Sequence, residues 1–95
     1  SVFSKSSAAF MTAAMINKGI VTEYLQAVCG NIKYEMCKYK DDITTDSDYF
    51  LWNAEGPLAK MGGWTEAREA CSKINTSILT TYPYNWHFAK QSFFQ

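Results

Sequence analysis

The side chains with the most specific chemistry in this chain are three cysteines, Cys29, Cys37 and Cys71, and one histidine, His87. Cys29 and Cys37 bound the stretch CGNIKYEMC and stand eight positions apart. On one continuous helix their Cα atoms would lie about 12 Å apart, whereas a disulfide needs them within roughly 7 Å. A bond between them therefore requires the chain to turn, and Gly30-Asn31 supplies residues suited to a turn. Closing so short a loop would contribute ~2–3 kcal/mol, which a small domain can use. Two other states compete with the disulfide. The three cysteines and His87 could converge on zinc, but zinc sites pair cysteines about two to four residues apart, a much closer spacing. Two reduced thiols would simply pack as small apolar side chains. That last reading suits Cys71, which falls on the inward stripe of its segment.

His87 sits in YPYNWHF, with rings on either side and no serine or cysteine motif directed at it. A nucleophile elbow, HExxH and phosphate-binding glycine loops are absent from the sequence. If the chain belonged to an enzyme, His87 would need an acidic partner such as Asp46 or Asp48, which makes an accessory catalytic domain one alternative. The expectation here is no catalytic residue and no cofactor. The acidic run Asp41, Asp42, Asp46 and Asp48 does not form a calcium loop. Counting from Asp42, Ser47 and Asn53 stand where such a loop needs glycine and glutamate. It reads as a solvated loop with capping residues. KYEMCKYK interleaves bases with rings, as single-strand binders do, but Glu35 interrupts it and Asp41 and Asp42 follow. Nine basic residues balance nine acidic ones, so a nucleic-acid partner is not expected. Asn75-Thr76-Ser77 matches a glycosylation sequon in the middle of a helical segment and reads as a chance match.

These residues are carried by helical segments. SSAAFMTAAMINK has good helix propensity and serine caps, with Phe10, Ala14 and Asn17 on one stripe and Met11, Met15 and Lys18 on the next. Gly19 is a natural stop, which gives a first helix at about 6–18. Ile20, Tyr24, Leu25 and Val28 recur at helical spacing, and that helix runs to about Cys29 with Gly30 ending it. Residues 33–40 give one or two turns without a clean apolar stripe. DDITTDSD is a loop in which Asp46 or Ser47 caps the short helix DYFLWN. Pro57 opens one further turn, stopped by Gly62-Gly63. The clearest element is TEAREACSKINTSILTT, capped by Thr65, with Ala67, Ala70, Cys71, Ile74, Ile78 and Thr81 on one stripe. Tyr82, Trp86, Ala89 and Phe93 align again beyond Pro83. The period-2 alternation of strands is missing throughout. The expected fold is all-α, one small domain of four or five short helices with one disulfide.

Aromatic residues make up 16% of the chain, enough for a few rings to anchor a small core. Six of them fall in YPYNWHFAKQSFF, and tyrosine and tryptophan of this kind populate membrane interfaces. This C-terminal segment, with Tyr82 and Tyr84, is expected to lead toward a bilayer or a protein partner. Trp52, Trp64 and Trp86 are the candidate anchors, of the core first and of a partner surface second. No apolar run approaches the roughly 18 residues that span a bilayer. The chain opens SVFSKSS and closes FAKQSFFQ, ends that read as those of a piece of a longer protein.

The string GIVTEYL…C…KYEMCKYKD…DYFLWN…GPL…GGW, over roughly residues 17–80, resembles a pattern of uncharacterised bacterial membrane proteins. In these, a soluble extracytoplasmic segment is flanked by transmembrane helices. The paired cysteines and the FLW and GGW stretches are its most specific parts. The resemblance implies an extracytoplasmic, periplasmic or cell-envelope location and favours the Cys29–Cys37 disulfide. It implies no enzyme activity. This chain departs from the pattern at Gly56-Pro57-Leu58, where the pattern has serine-proline-leucine, and Cys71 has no counterpart. The functional expectation is a non-catalytic binding or assembly domain of a bacterial membrane protein. A cytosolic helical regulatory domain is a further alternative, and it requires all three thiols to be free.

Overall fold

A computed structural model describes residues 7–81. In chain order they form α1 (Ser7–Asn17), α2 (Ile20–Val28), a 3-10 helix η1 (Glu35–Asp42), α3 (Ser47–Trp52), α4 (Pro57–Lys60), α5 (Gly63–Glu66) and α6 (Arg68–Thr81). No strand occurs among the described residues, and the fold is all-α with one disulfide. The helix count exceeds the expected four or five because of the glycine pair. Gly62 and Gly63 adopt φ values of 105° and 89°, where other residues are strained. The chain restarts there as a single turn, so Thr65 lies inside α5 and is not the cap of the long helix. Only Ala67 separates α5 from α6. Its N–H donates to the Gly63 carbonyl and its own carbonyl accepts from Cys71, both at 2.9 Å.

Each remaining element has a local cause. Gly19, at φ 78°, ends α1 and receives the chain into α2. The turn after α2 is closed by the N–H groups of Asn31 and Ile32, which donate to the Val28 carbonyl at 2.9 and 2.8 Å. That reversal brings the Cα atoms of Cys29 and Cys37 to 5.7 Å, and the two are bonded. Among the glycines with positive φ are Gly19, Gly62 and Gly63 but not Gly30, so the turn does not depend on a left-handed residue there. η1 buries Met36 alone, which accounts for its lack of a sequence stripe. Asp46 caps α3 by accepting from the Tyr49 N–H at 3.0 Å, and Pro57 stands at the start of α4.

α1 lies in the middle of the packing, against α2, α3 and α6. It buries Ala9, Thr12, Ala13, Met15 and Ile16, not the face defined by Phe10, Ala14 and Asn17. An Ala/Met-rich helix is apolar nearly all round, so its periodicity points in no single direction. α6 contributes Cys71, Ile74, Asn75 and Ile78, the last of these beside Leu25, Phe50 and Leu58 in one core cluster. Two polar side chains sit within it. The Thr12 hydroxyl donates to Asn75 Oδ1 at 2.7 Å, and Asn75 Nδ2 donates to the Ala8 carbonyl at 2.9 Å. Asn75 is 6% exposed, so the sequon amide is held in the interior and is closed to glycosylation.

At Gly56 the reason for glycine is space. Its φ of −79° is ordinary, but a Cβ there would run into the Tyr49 carbonyl oxygen. Backbone cannot give way as the tip of a side chain can, so the serine of the resembled pattern has no room in this arrangement. The same Tyr49 is fixed at its other end, where its hydroxyl donates to Asp42 at 3.0 Å. That bond to a carboxylate pushes the Tyr49 phenol above its usual range. We expect Gly56→Ala to cost about 1–3 kcal/mol through overpacking, read as a lowered urea midpoint. An unchanged midpoint would mean that α4 does not approach α3 this closely.

Candidate functional site

Because α1 turns its Thr12 side toward α6, Phe10 emerges on another side, beside the end of α3 and the single turn of α5. Trp52 is the last residue of α3, and Trp64 follows the glycine pair. The three rings meet. Centroids are 5.4 Å apart for Phe10 and Trp64, 5.3 Å for Trp52 and Trp64, and 6.2 Å for Phe10 and Trp52. The planes are tilted by 40°, 54° and 56° in the same order, at centroid separations usual for favourable aromatic pairs. Trp64 is half-buried and packs against the core, while Phe10 is 38% and Trp52 62% exposed. Trp52 is therefore not a core anchor, since most of its ring surface faces water. The sequence carries no signal that Phe10 belongs to a surface, because α1 is apolar on nearly every side.

Most large apolar side chains are withdrawn from water, and exposed rings in contact with one another mark a surface suited to covering. The trio offers shape and apolar area, with no titratable group among its members. It can bind; it has nothing with which to transfer a proton or attack a bond.

The other candidates fall elsewhere. Trp86, Tyr82, Tyr84 and His87 lie outside the described residues, as does the aromatic C-terminal segment as a whole. Asp46 spends a carboxylate oxygen on the α3 cap, and Asp48 is exposed in the first turn of that helix. Asp42 is engaged by Tyr49 and by Lys60 Nζ at 3.8 Å, and Asp41 by Lys40 at 3.2 Å. Among the described residues no group of three or more His, Cys, Asp or Glu is placed to hold a metal ion. Cys71 is the one free thiol and is buried. Burial pushes it up to about 11, against a smaller downward pull from the Thr12 hydroxyl. At neutral pH it is protonated and a poor nucleophile. No helix among the described residues is long and apolar enough to cross a membrane.

Comparison with known protein families, with curated proteins and with solved structures finds no match to this chain. The functional reading accordingly rests on the geometry above.

The two tryptophans should separate on mutation. Trp52→Ala should change stability by less than about 1 kcal/mol, as for other exposed sites. Trp64→Ala should cost about 1–3 kcal/mol, short of the 3–5 kcal/mol of a fully buried ring. Urea denaturation of both variants decides the matter, and equal losses would contradict the difference in burial.

Proposed function

We propose that this chain is a non-catalytic binding or assembly domain of a bacterial membrane-associated protein, carried on the extracytoplasmic side. The observation that carries this reading is the contacting, exposed cluster of Phe10, Trp52 and Trp64. Rings of this size bury large apolar areas against a partner, and tryptophan is enriched among the residues that carry most of an interface's binding energy. The Cys29–Cys37 bond supports the location, because disulfides persist in oxidising compartments. The cytosolic alternative requires three free thiols, and only Cys71 is free. For an enzyme role of His87 with Asp46 or Asp48 there is no favouring observation. The aromatic composition of the segment after Thr81 suits the same kind of partner or a bilayer interface.

The test uses the full-length protein in its own cells. Alkylation without reductant should modify one cysteine, Cys71, once the protein is denatured. On a native gel of detergent-solubilised membranes, the wild type should migrate in a complex from which Phe10→Ala/Trp52→Ala is released. Three modified cysteines would remove the location. A complex unaltered by the double variant would remove the aromatic surface from the account.

A further inference from the structure

A second concavity lies away from the aromatic trio, and its wall is the loop that the disulfide closes. Ile32, Lys33, Tyr34 and Glu35, all between Cys29 and Cys37, face Met61, α5 and the first turns of α6 across a cleft of about 600 Å³. That volume falls within the roughly 300–1,000 Å³ of small-molecule sites. Its apolar lining comes from Ile32, Tyr34, Met61 and Ala70. Ile32 is 45% exposed, so its side chain is available to a ligand in the cleft. Tyr34 is held in place from behind, its hydroxyl donating to Ser77 Oγ at 2.9 Å.

The charges around this lining are not equivalent. Glu35 is paired with Lys38 at 3.1 Å, and Glu69 with Lys73 at 3.6 Å, so these four compensate one another. Lys33 on the loop wall and Glu66 on the α5 wall line the same cleft and form no ion pair among the described residues. One ammonium and one carboxylate without an ion-pair partner, brought to one cleft by two different segments beside the apolar side chains of Ile32, Tyr34, Met61 and Ala70, complement a ligand that carries both charges and an apolar body.

We propose that this cleft binds a short apolar peptide with free termini, its ammonium toward Glu66 and its carboxylate toward Lys33, and that the Cys29–Cys37 bond preshapes the loop wall. A wall ordered before binding spares the ligand that ordering cost. The site is independent of the aromatic trio, although α5 contributes Trp64 to one and Glu66 to the other.

The test is a titration of the oxidised 95-residue chain with the dipeptide Leu-Leu, followed by amide chemical shifts. Saturable shifts should centre on Ile32, Lys33, Tyr34 and Ala70. The N-acetylated, C-amidated dipeptide should bind about tenfold more weakly or worse, as should the free dipeptide to Glu66→Gln. Cys29→Ser/Cys37→Ser, with its fold checked by circular dichroism and by the core amide spectrum, should also lose affinity. Trp52→Ala should bind like the wild type, which keeps this result separate from the fate of the aromatic surface. Absence of saturable shifts at millimolar dipeptide overturns the site. Equal binding of the blocked dipeptide overturns the charge pairing, and undiminished binding by the refolded serine variant overturns the role of the disulfide.

Discussion

The seating of the first helix against the last depends on the hydrogen bonds that Thr12 and Asn75 make between them. Both side chains are buried, and a buried polar group without a partner costs on the order of 1–3 kcal/mol. Thr12 satisfies Asn75 Oδ1, and Asn75 returns its amide hydrogen to the Ala8 carbonyl one turn back along α1. Sliding α1 along α6 by a residue would break both bonds inside an apolar interface. The other buried residues of α1 are alanine, methionine and isoleucine, whose packing tolerates rotation far better. The polar pair therefore selects one orientation of a helix that hydrophobicity alone leaves undetermined, and that orientation delivers Phe10 to Trp52 and Trp64.

Around this pair the domain is built of short pieces held by local devices. α4 and α5 are single turns, too short to be stable as helices on their own. Pro57, the glycine pair and the close approach of Gly56 to the Tyr49 carbonyl fix where they begin and end. η1 has one buried side chain, and its attachments are lateral: the disulfide to α2, Tyr39 to the Lys60 carbonyl at 3.3 Å, and Asp42 to Tyr49 and Lys60. The loop after η1 is tied back by Thr22, whose hydroxyl lies 2.7 Å from the Thr44 carbonyl. Surface features of this domain, the aromatic cluster and the cleft alike, are consequently displayed on segments whose position depends on side-chain ties.

How far the sequence announces this depends on the kind of signal. Capping chemistry is local, so Asp46, Pro57 and Gly19 mark their helix ends unaided. The stripe of α6 is sharp because polar residues separate its apolar ones, and Cys71, Ile74 and Ile78 are all buried as that stripe requires. α1 offers no such contrast, so nothing in its spacing marks Phe10 as the ring that lies outward. Trp52 and Trp64 could be picked out as large rings, but their meeting with each other and with Phe10 joins three separate helices and leaves no trace in spacing. Asn75 was legible only as a sequon, and its real part depends on a partner sixty-three residues away. A two-residue error in the start of α6, expected at Glu66 and found at Arg68, has a similar origin, since two adjacent left-handed glycines make a restart where one would make a stop.

The most direct measurement is a double-mutant cycle on the two polar side chains, with Thr12→Val, Asn75→Ala and the combined variant unfolded in urea. If their bond sets the seating of α1, each single change should cost about 1–3 kcal/mol, and the double change should cost less than the sum by about 1 kcal/mol or more. Losses that simply add would contradict the account, because they would show that Thr12 and Asn75 act on the fold separately.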